Sequence, residues 1–99
     1  MINLRINPLV AVDLKNIKNY IAEDNEEKAV ETVEHIYEKF EYIAQFPSIG
    51  ADLSKRVSFK TDYKYIIWKD YVIIYKIGKE AAEIYRVVNR CQDITRIFE

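Results

Sequence analysis

Arg86, Asn89, Arg90, Gln92 and Asp93 crowd into one short stretch near the end of the chain. They follow Tyr71–Ile77 and Ala82–Arg90, two apolar runs that read as the strands of a β-hairpin. A strand this apolar would ordinarily finish in a plain turn, so the sequence sets a charged, amide-rich corner at one sheet edge. Arg86 has the strand parity of Ile84 and Val88, which predicts that it reaches across the sheet face to Asp93 or to a backbone carbonyl. Asp93 has a plain structural role open to it as well, pairing with Arg90 or capping a last helical turn. Cys91 lies in the same stretch, where a neighbouring cation would lower a thiol pKa. Nucleophilic catalysis also needs a paired base, and the single histidine, His35, sits on a helical segment with nothing in sequence to pair the two. No metal-ligand spacing surrounds His35, so no metal site and no cofactor are expected.

The elements that position this corner follow from periodicity. Ile2, Leu4 and Ile6 alternate with polar residues, giving a short strand with one buried face. Asn7 is a cap and Pro8 a first helical residue. Val10, Leu14, Ile17 and Ile21 then form one helical face. Asn25 caps a second helix, with Glu26 and Glu27 at the positive end of its dipole. Ala29, Val33, Ile36, Phe40 and Ile43 are its stripe, widened by Val30, Tyr37 and Ala44. Phe46-Pro47-Ser-Ile-Gly50 ends it. The two helices pack as an antiparallel hairpin with an acidic outer face from Glu23, Glu27, Glu31, Glu34, Glu38 and Glu41. Residues 51–62 read as a loop or short irregular piece. Tyr63–Lys69, Tyr71–Ile77 and Ala82–Arg90 are strands. Gly78-Lys79-Glu80 is a tight turn that would use positive φ at Gly78, and Lys69-Asp70 is a weaker turn signal. Gln92–Glu99 is a last helical turn or a tail. The order β-α-α-β-β-β is α+β, an antiparallel sheet covered on one face by a helical hairpin.

Length and composition are consistent with a single domain over residues 1–99. Hydrophobic residues make up 49% of the chain, and only two Gly and two Pro are present, which argues against disorder or an elastic linker. Eight tyrosines suit half-buried sheet surfaces. One cysteine allows no internal disulfide and fits a reducing cytoplasm. The N-terminus has no signal-peptide pattern, and no run has membrane-spanning length. Net charge is −1, but residues 1–50 carry five Lys/Arg against nine Asp/Glu, and residues 51–99 carry ten against seven. The first half is an acidic face. The second is mildly basic and suits a phosphate or an acidic protein.

Four pieces in order, Ile17–Asn25 followed by Ala29, then Phe46-Pro-Ser-Ile-Gly50, Tyr71-Val-Ile-Ile-Tyr75 and Ile84-Tyr-Arg86-Val-Val-Asn-Arg-Cys-Gln-Asp93, resemble the RelE/ParE superfamily of toxins from bacterial type II toxin–antitoxin systems. The resemblance covers nearly the whole chain. It implies a cytoplasmic toxin that stabilises plasmids or arrests growth, neutralised by a cognate antitoxin and making no specific DNA contact without it. RelE-like members are ribosome-dependent nucleases acting on mRNA; ParE-like members inhibit DNA gyrase and are not enzymes. In RelE-like toxins the strand matching Tyr71–Tyr75 commonly reads Tyr-Arg-x-x-Tyr, the Arg stabilising charge on the scissile phosphate. Here that position is Val72, and Asn89 stands where many members carry His. A nuclease would have to rely on Lys55, Arg56, Lys64, Tyr85, Arg86 and Arg90. A gyrase inhibitor needs a surface rather than a proton relay, and Arg86, Asn89, Arg90 and Asp93 resemble the Arg-x-x-His-x-x-x-Asp ending of the ParE-like branch. The resemblance therefore favours a ParE-like gyrase inhibitor, with a mRNA endonuclease or an inactive binding module of the same fold as alternatives. The acidic helix face and basic sheet face further predict that an acidic antitoxin segment meets the sheet side.

Overall fold

The computed structural model describes residues 2–92 and 94–98. Strand β1 (Asn3–Ile6) leads into helices α1 (Pro8–Ala22) and α2 (Glu26–Gln45), then strands β2 (Ala51–Asp52), β3 (Lys64–Trp68), β4 (Tyr71–Ile77) and β5 (Ala81–Asn89). Short 3-10 turns occupy Pro47–Ile49, Leu53–Lys55 and Ile94–Phe98. The strands form one sheet in the order β1-β5-β4-β3-β2. The α+β class and the element order expected from the sequence hold, with a two-residue edge strand added inside the segment read as irregular.

One expectation changes. The strands β2 to β5 pair antiparallel, but β1 joins β5 in parallel, Asn3 opposite Ala81 through Ile6 opposite Ile84, so the sheet is mixed. A parallel pair needs a long crossover, and here everything between β1 and β5 supplies it. Alternation in β1 shows that one face is buried but carries no information on strand direction.

Both helix starts form as the cap residues dictate. Asn7 Oδ1 accepts from Leu9 N at 2.9 Å, and Asn25 Oδ1 accepts from Lys28 N at 3.0 Å. Each satisfies a backbone donor that has no partner inside the helix. Asn25→Ala is expected to lower the unfolding free energy by about 1 kcal/mol, read from the midpoint of a urea titration.

The core lies on both faces of the sheet. Between helices and sheet, Val10, Leu14, Ile36, Phe40 and Ile43 meet Ile73, Tyr75, Ala82, Ile84 and Val87. On the opposite face Val72, Ile74 and Val88 are covered by Leu53 and Ile94. Ala44 is buried as expected, but Val30 and Tyr37 are exposed; they flank the stripe of α2 without meeting the sheet. The six glutamates expected on the outer face of the helical hairpin are all exposed.

The turns also differ from expectation. Gly78 N donates to Ala81 O at 2.8 Å, closing the β4–β5 turn, yet no described glycine has positive φ. The left-handed residue is Lys69, φ 53°, in the β3–β4 turn. A two-residue hairpin connection demands positive φ to match strand twist, and here a lysine carries it.

Tyr75 is fully buried beneath the segment that leaves α2. Its hydroxyl donates to Pro47 O at 2.6 Å and accepts from Gly50 N at 2.9 Å. Burial raises its pKa above the ordinary tyrosine value, against the opposing effect of the Gly50 hydrogen bond; Tyr63 and Tyr71 are raised by burial too. A raised folded pKa gives a contribution that is intact below the unfolded value, about 10, and lost as pH rises through the folded one. The urea midpoint should therefore fall as pH rises past about 10. Part of that fall should vanish in Tyr75→Phe.

Candidate functional site

The corner at the end of β5 is built by the way β1 stops. β1 runs alongside β5 only as far as Ile6 opposite Ile84. Asn7 N then donates to Ile84 O at 2.9 Å, and Asn7 caps α1. The edge of β5 beyond Ile84 is thus left to the first turns of α1, and Asp13 fills it. Asp13 Oδ2 accepts from Val87 N at 3.0 Å and from Arg86 Nε at 2.8 Å, while Oδ1 accepts from Arg86 Nη2 at 2.9 Å. This is a two-pronged carboxylate–guanidinium pair, the strongest class of such contacts. Asp13 is 9% exposed and Arg86 21%. The Asp13 hydrogen bonds hold the Arg86 pKa above its ordinary value, against the effect of burial.

Asp13 was not legible as a site residue, though a signal exists. It is the only acidic residue in α1, and it sits three residues after Val10 and four before Ile17, within the apolar face. Of the partners expected for Arg86, Asp93 lies outside the described residues, and the guanidinium is found on Asp13 of α1. Ile74 pairs with Arg86 and Tyr75 with Ile84, so Tyr85 is an extra residue on β5. The bulge breaks the parity assumed between Ile84 and Arg86 and pairs Arg86 with Ile74; its guanidinium nevertheless meets α1, at Asp13, beside the β5 edge that β1 leaves open.

Beyond Arg86 the chain turns. Asn89 Oδ1 accepts from Cys91 N at 2.8 Å, and Gln92 N donates to Asn89 O at 2.9 Å. Arg90 N donates to Asp70 O at 2.8 Å, and Arg90 Nη1 contacts Lys69 O at 3.4 Å. Arg90 therefore braces the β3–β4 turn while its side chain stays exposed. Asn89, Arg90, Cys91 and Gln92 are all exposed. Asp93, and with it the expected pairing to Arg90, lies outside the described residues. A cleft of about 340 Å³ opens between α1 and this corner, with Asn16, Tyr20, Tyr71, Asn89 and Gln92 among its walls.

The residues a nuclease would need are not drawn to one point. Arg86 is engaged by Asp13, and Arg90 braces a turn. Lys64 shares the parity of Ile66 and Trp68, which pack on the helix side, whereas Tyr65 packs on the other face. Lys55 and Arg56 sit at the 3-10 turn after β2, Arg56 stacking 5.0 Å over the Tyr65 ring and donating from Nε to its hydroxyl. Tyr85 stacks on Phe98, ring centres 5.4 Å apart, and lies 4.9 Å from Tyr63. Val72, where the resemblance places an arginine, has no exposure at all and packs with Leu53, Val88 and Ile94. A charge there would be buried without a partner. Among the described residues no group of His, Cys, Asp and Glu could hold a metal ion, and no helix is long and apolar enough to cross a membrane.

Comparison with known proteins bears on the family. The fold is shared with a solved structure described as the chromosomal ParDE toxin–antitoxin system from P. aeruginosa, with a TM-score of 0.75 and 21% sequence identity; the match covers 90% of this chain and 96% of that one. A comparison with curated sequences gave no match. A family model described as the ParE toxin of the type II toxin–antitoxin system parDE matches residues 4–94, and the chain belongs to that family.

Proposed function

We propose that this toxin arrests growth by inhibiting DNA gyrase through protein contact, with no bond-breaking chemistry of its own. The observation that carries the reading is the fate of Arg86. Arg86, which could have met a phosphate, is instead held through Nε and Nη2 against Asp13, so its charge is neutralised within the corner. Phosphoryl chemistry needs preorganised positive charge and a proton relay. The fully buried Val72, and Asn89, which cannot titrate near neutral pH, supply neither. Arg86 through Asp13 positions the surface; Asn89, Arg90 and Asp93 belong to the target contact. The protein works in the cytoplasm, where a cognate antitoxin keeps it inactive. The antitoxin's acidic segment lies on the basic sheet side.

One observation favours a second reading. Arg56 over Tyr65, and Lys76 Nζ 5.6 Å from the Tyr63 ring centre, interleave cations and aromatic rings as single-stranded RNA binders do. That arrangement would serve a ribosome-dependent endonuclease.

The deciding experiment adds the purified toxin to gyrase, relaxed plasmid and ATP, and reads supercoiling together with trapped DNA cleavage. Loss of supercoiling at near-stoichiometric toxin is expected. Unimpaired supercoiling from a folded sample overturns the proposal, and mRNA cleavage on translating ribosomes by that same sample would establish the second reading.

A further inference from the structure

The cleft beside Arg86 does not end at Tyr20 and Tyr71. A second cleft of about 280 Å³ shares both tyrosines and continues toward the tip of the helical hairpin, walled by Asp24, Lys28, Trp68 and Lys69. The two clefts meet at the tyrosine pair and form one groove. It runs from the β5 corner, past α1, to the β3–β4 turn. Resting on the proposed gyrase reading, we infer that this groove is where the toxin grips its target, and that it takes an extended, uncharged segment of the target polypeptide.

Charge is the first argument. At one end Asp13 and Arg86 neutralise each other. At the other, Lys28 and Lys69 are balanced by Asp24 and Asp70, which line the same cleft. A groove without net charge gives no field to attract a phosphate backbone, whose binding is dominated by uncompensated cations. It equally gives no preference to an acidic peptide. The basic residues Arg56 and Lys76 lie instead on rings of the other sheet face.

Hydrogen-bonding capacity is the second. Asn16 from α1, and Asn89 and Gln92 from the facing corner, bring three carboxamides to the cleft. Each carries a donor and an acceptor in the spacing of a peptide unit. The Asn89 acceptor is taken by Cys91 N, which leaves its NH2 to donate. Such groups are useful only to a ligand whose own amides are unpaired. A helix has satisfied its N–H and C=O groups internally, so an extended main chain is the form that fits.

The third argument is anchoring. Tyr20 is 75% exposed, more than any other large hydrophobic side chain among the described residues. It stands where the clefts join. Tyrosine is enriched among the few residues that dominate interface energy. The opposite wall is fixed in advance. Arg90 holds the backbone of the β3–β4 turn at Lys69 and Asp70, and Trp68 packs edge-on against His35 with ring centres 5.6 Å apart. A preformed wall spares the ordering cost of binding.

Tyr20→Ala and Asn16→Ala test this directly, because both side chains are exposed and neither carries the core. Tyr42→Ala, an exposed tyrosine on the far part of α2, is the control. Each full-length variant is titrated against gyrase supercoiling, and its affinity for the cognate antitoxin is measured in parallel. The inhibitory concentration should rise roughly tenfold or more for Tyr20→Ala, and less for Asn16→Ala. Tyr42→Ala should match the unsubstituted toxin, and antitoxin affinity should be unchanged throughout. If Tyr20→Ala inhibits as well as the unsubstituted toxin, the groove is not the grip, although the gyrase reading stands. If antitoxin affinity falls as steeply as inhibition, the groove belongs to the antitoxin and the inference is overturned. If the unsubstituted toxin does not inhibit gyrase at all, the functional reading fails and the inference fails with it.

Discussion

Asp13→Ala should destabilise the protein by about 3 kcal/mol, a loss seen as a lowered urea midpoint with unchanged slope. The size follows from what one carboxylate does. It accepts from Val87 N and takes both forks of Arg86. Removing it leaves a mostly buried guanidinium without its counter-charge and a strand N–H without an acceptor. Truncating one partner of a buried pair costs more than the pair contributes over an apolar replacement. The companion substitution separates the two effects. Arg86→Leu in the Asp13→Ala background removes the orphaned charge and should restore part of the loss, whereas the Val87 N–H stays unpaired. A cycle that came out additive would mean that the two side chains do not interact in solution. A domain of this size has about 5–15 kcal/mol of total stability, so the single substitution should also be visible as a lower yield of folded protein.

Asp13 also shows where sequence reasoning loses its grip. The helices were legible because caps and apolar spacing are local: Asn7 and Asn25 bond donors two and three residues away. The hairpin of β4 and β5 was legible because its strands are consecutive. The Asp13–Arg86 pair links residues 73 positions apart, and neither partner's neighbours announce the other. The bulge at Tyr85 was hidden for a different reason. An extra residue changes no residue type, only parity, so the sequence shows Ile84 and Val88 in step although they lie on opposite faces of the sheet. The positive φ fell on Lys69 rather than Gly78 because residue preference ranks turn sites without deciding among them. Family resemblance reached further than local chemistry did. It led to the toxin class through the order of several weak motifs, while leaving untouched how Arg86, Asn89 and Arg90 are used.

Gly50 is the other position where a small change should have a large effect. Its φ of −71° is open to any residue, so its requirement is spatial rather than conformational. A Cβ added there would lie 2.5 Å from Tyr75 Oη and 2.8 Å from its ring edge. The ring cannot retreat, because Tyr75 is fully buried among the core residues of β4 and the helices. Gly50→Ala should therefore cost about 3 kcal/mol through overpacking, together with the strain placed on the Tyr75 hydrogen bonds. Tyr75→Phe should cost about 1–3 kcal/mol, since the Gly50 N–H and Pro47 carbonyl lose their shared partner. The informative variant is the double one. Deleting the hydroxyl removes the nearest clashing atom, so Gly50→Ala in the Tyr75→Phe background should cost less than it does alone. It should not become neutral, because ring carbons remain within 3 Å of the new methyl. Thermal or urea unfolding of the four proteins measures the coupling. Strict additivity would show that the loop moves away from Tyr75 when Gly50 is replaced, and that the chain leaving α2 is not fixed by this contact.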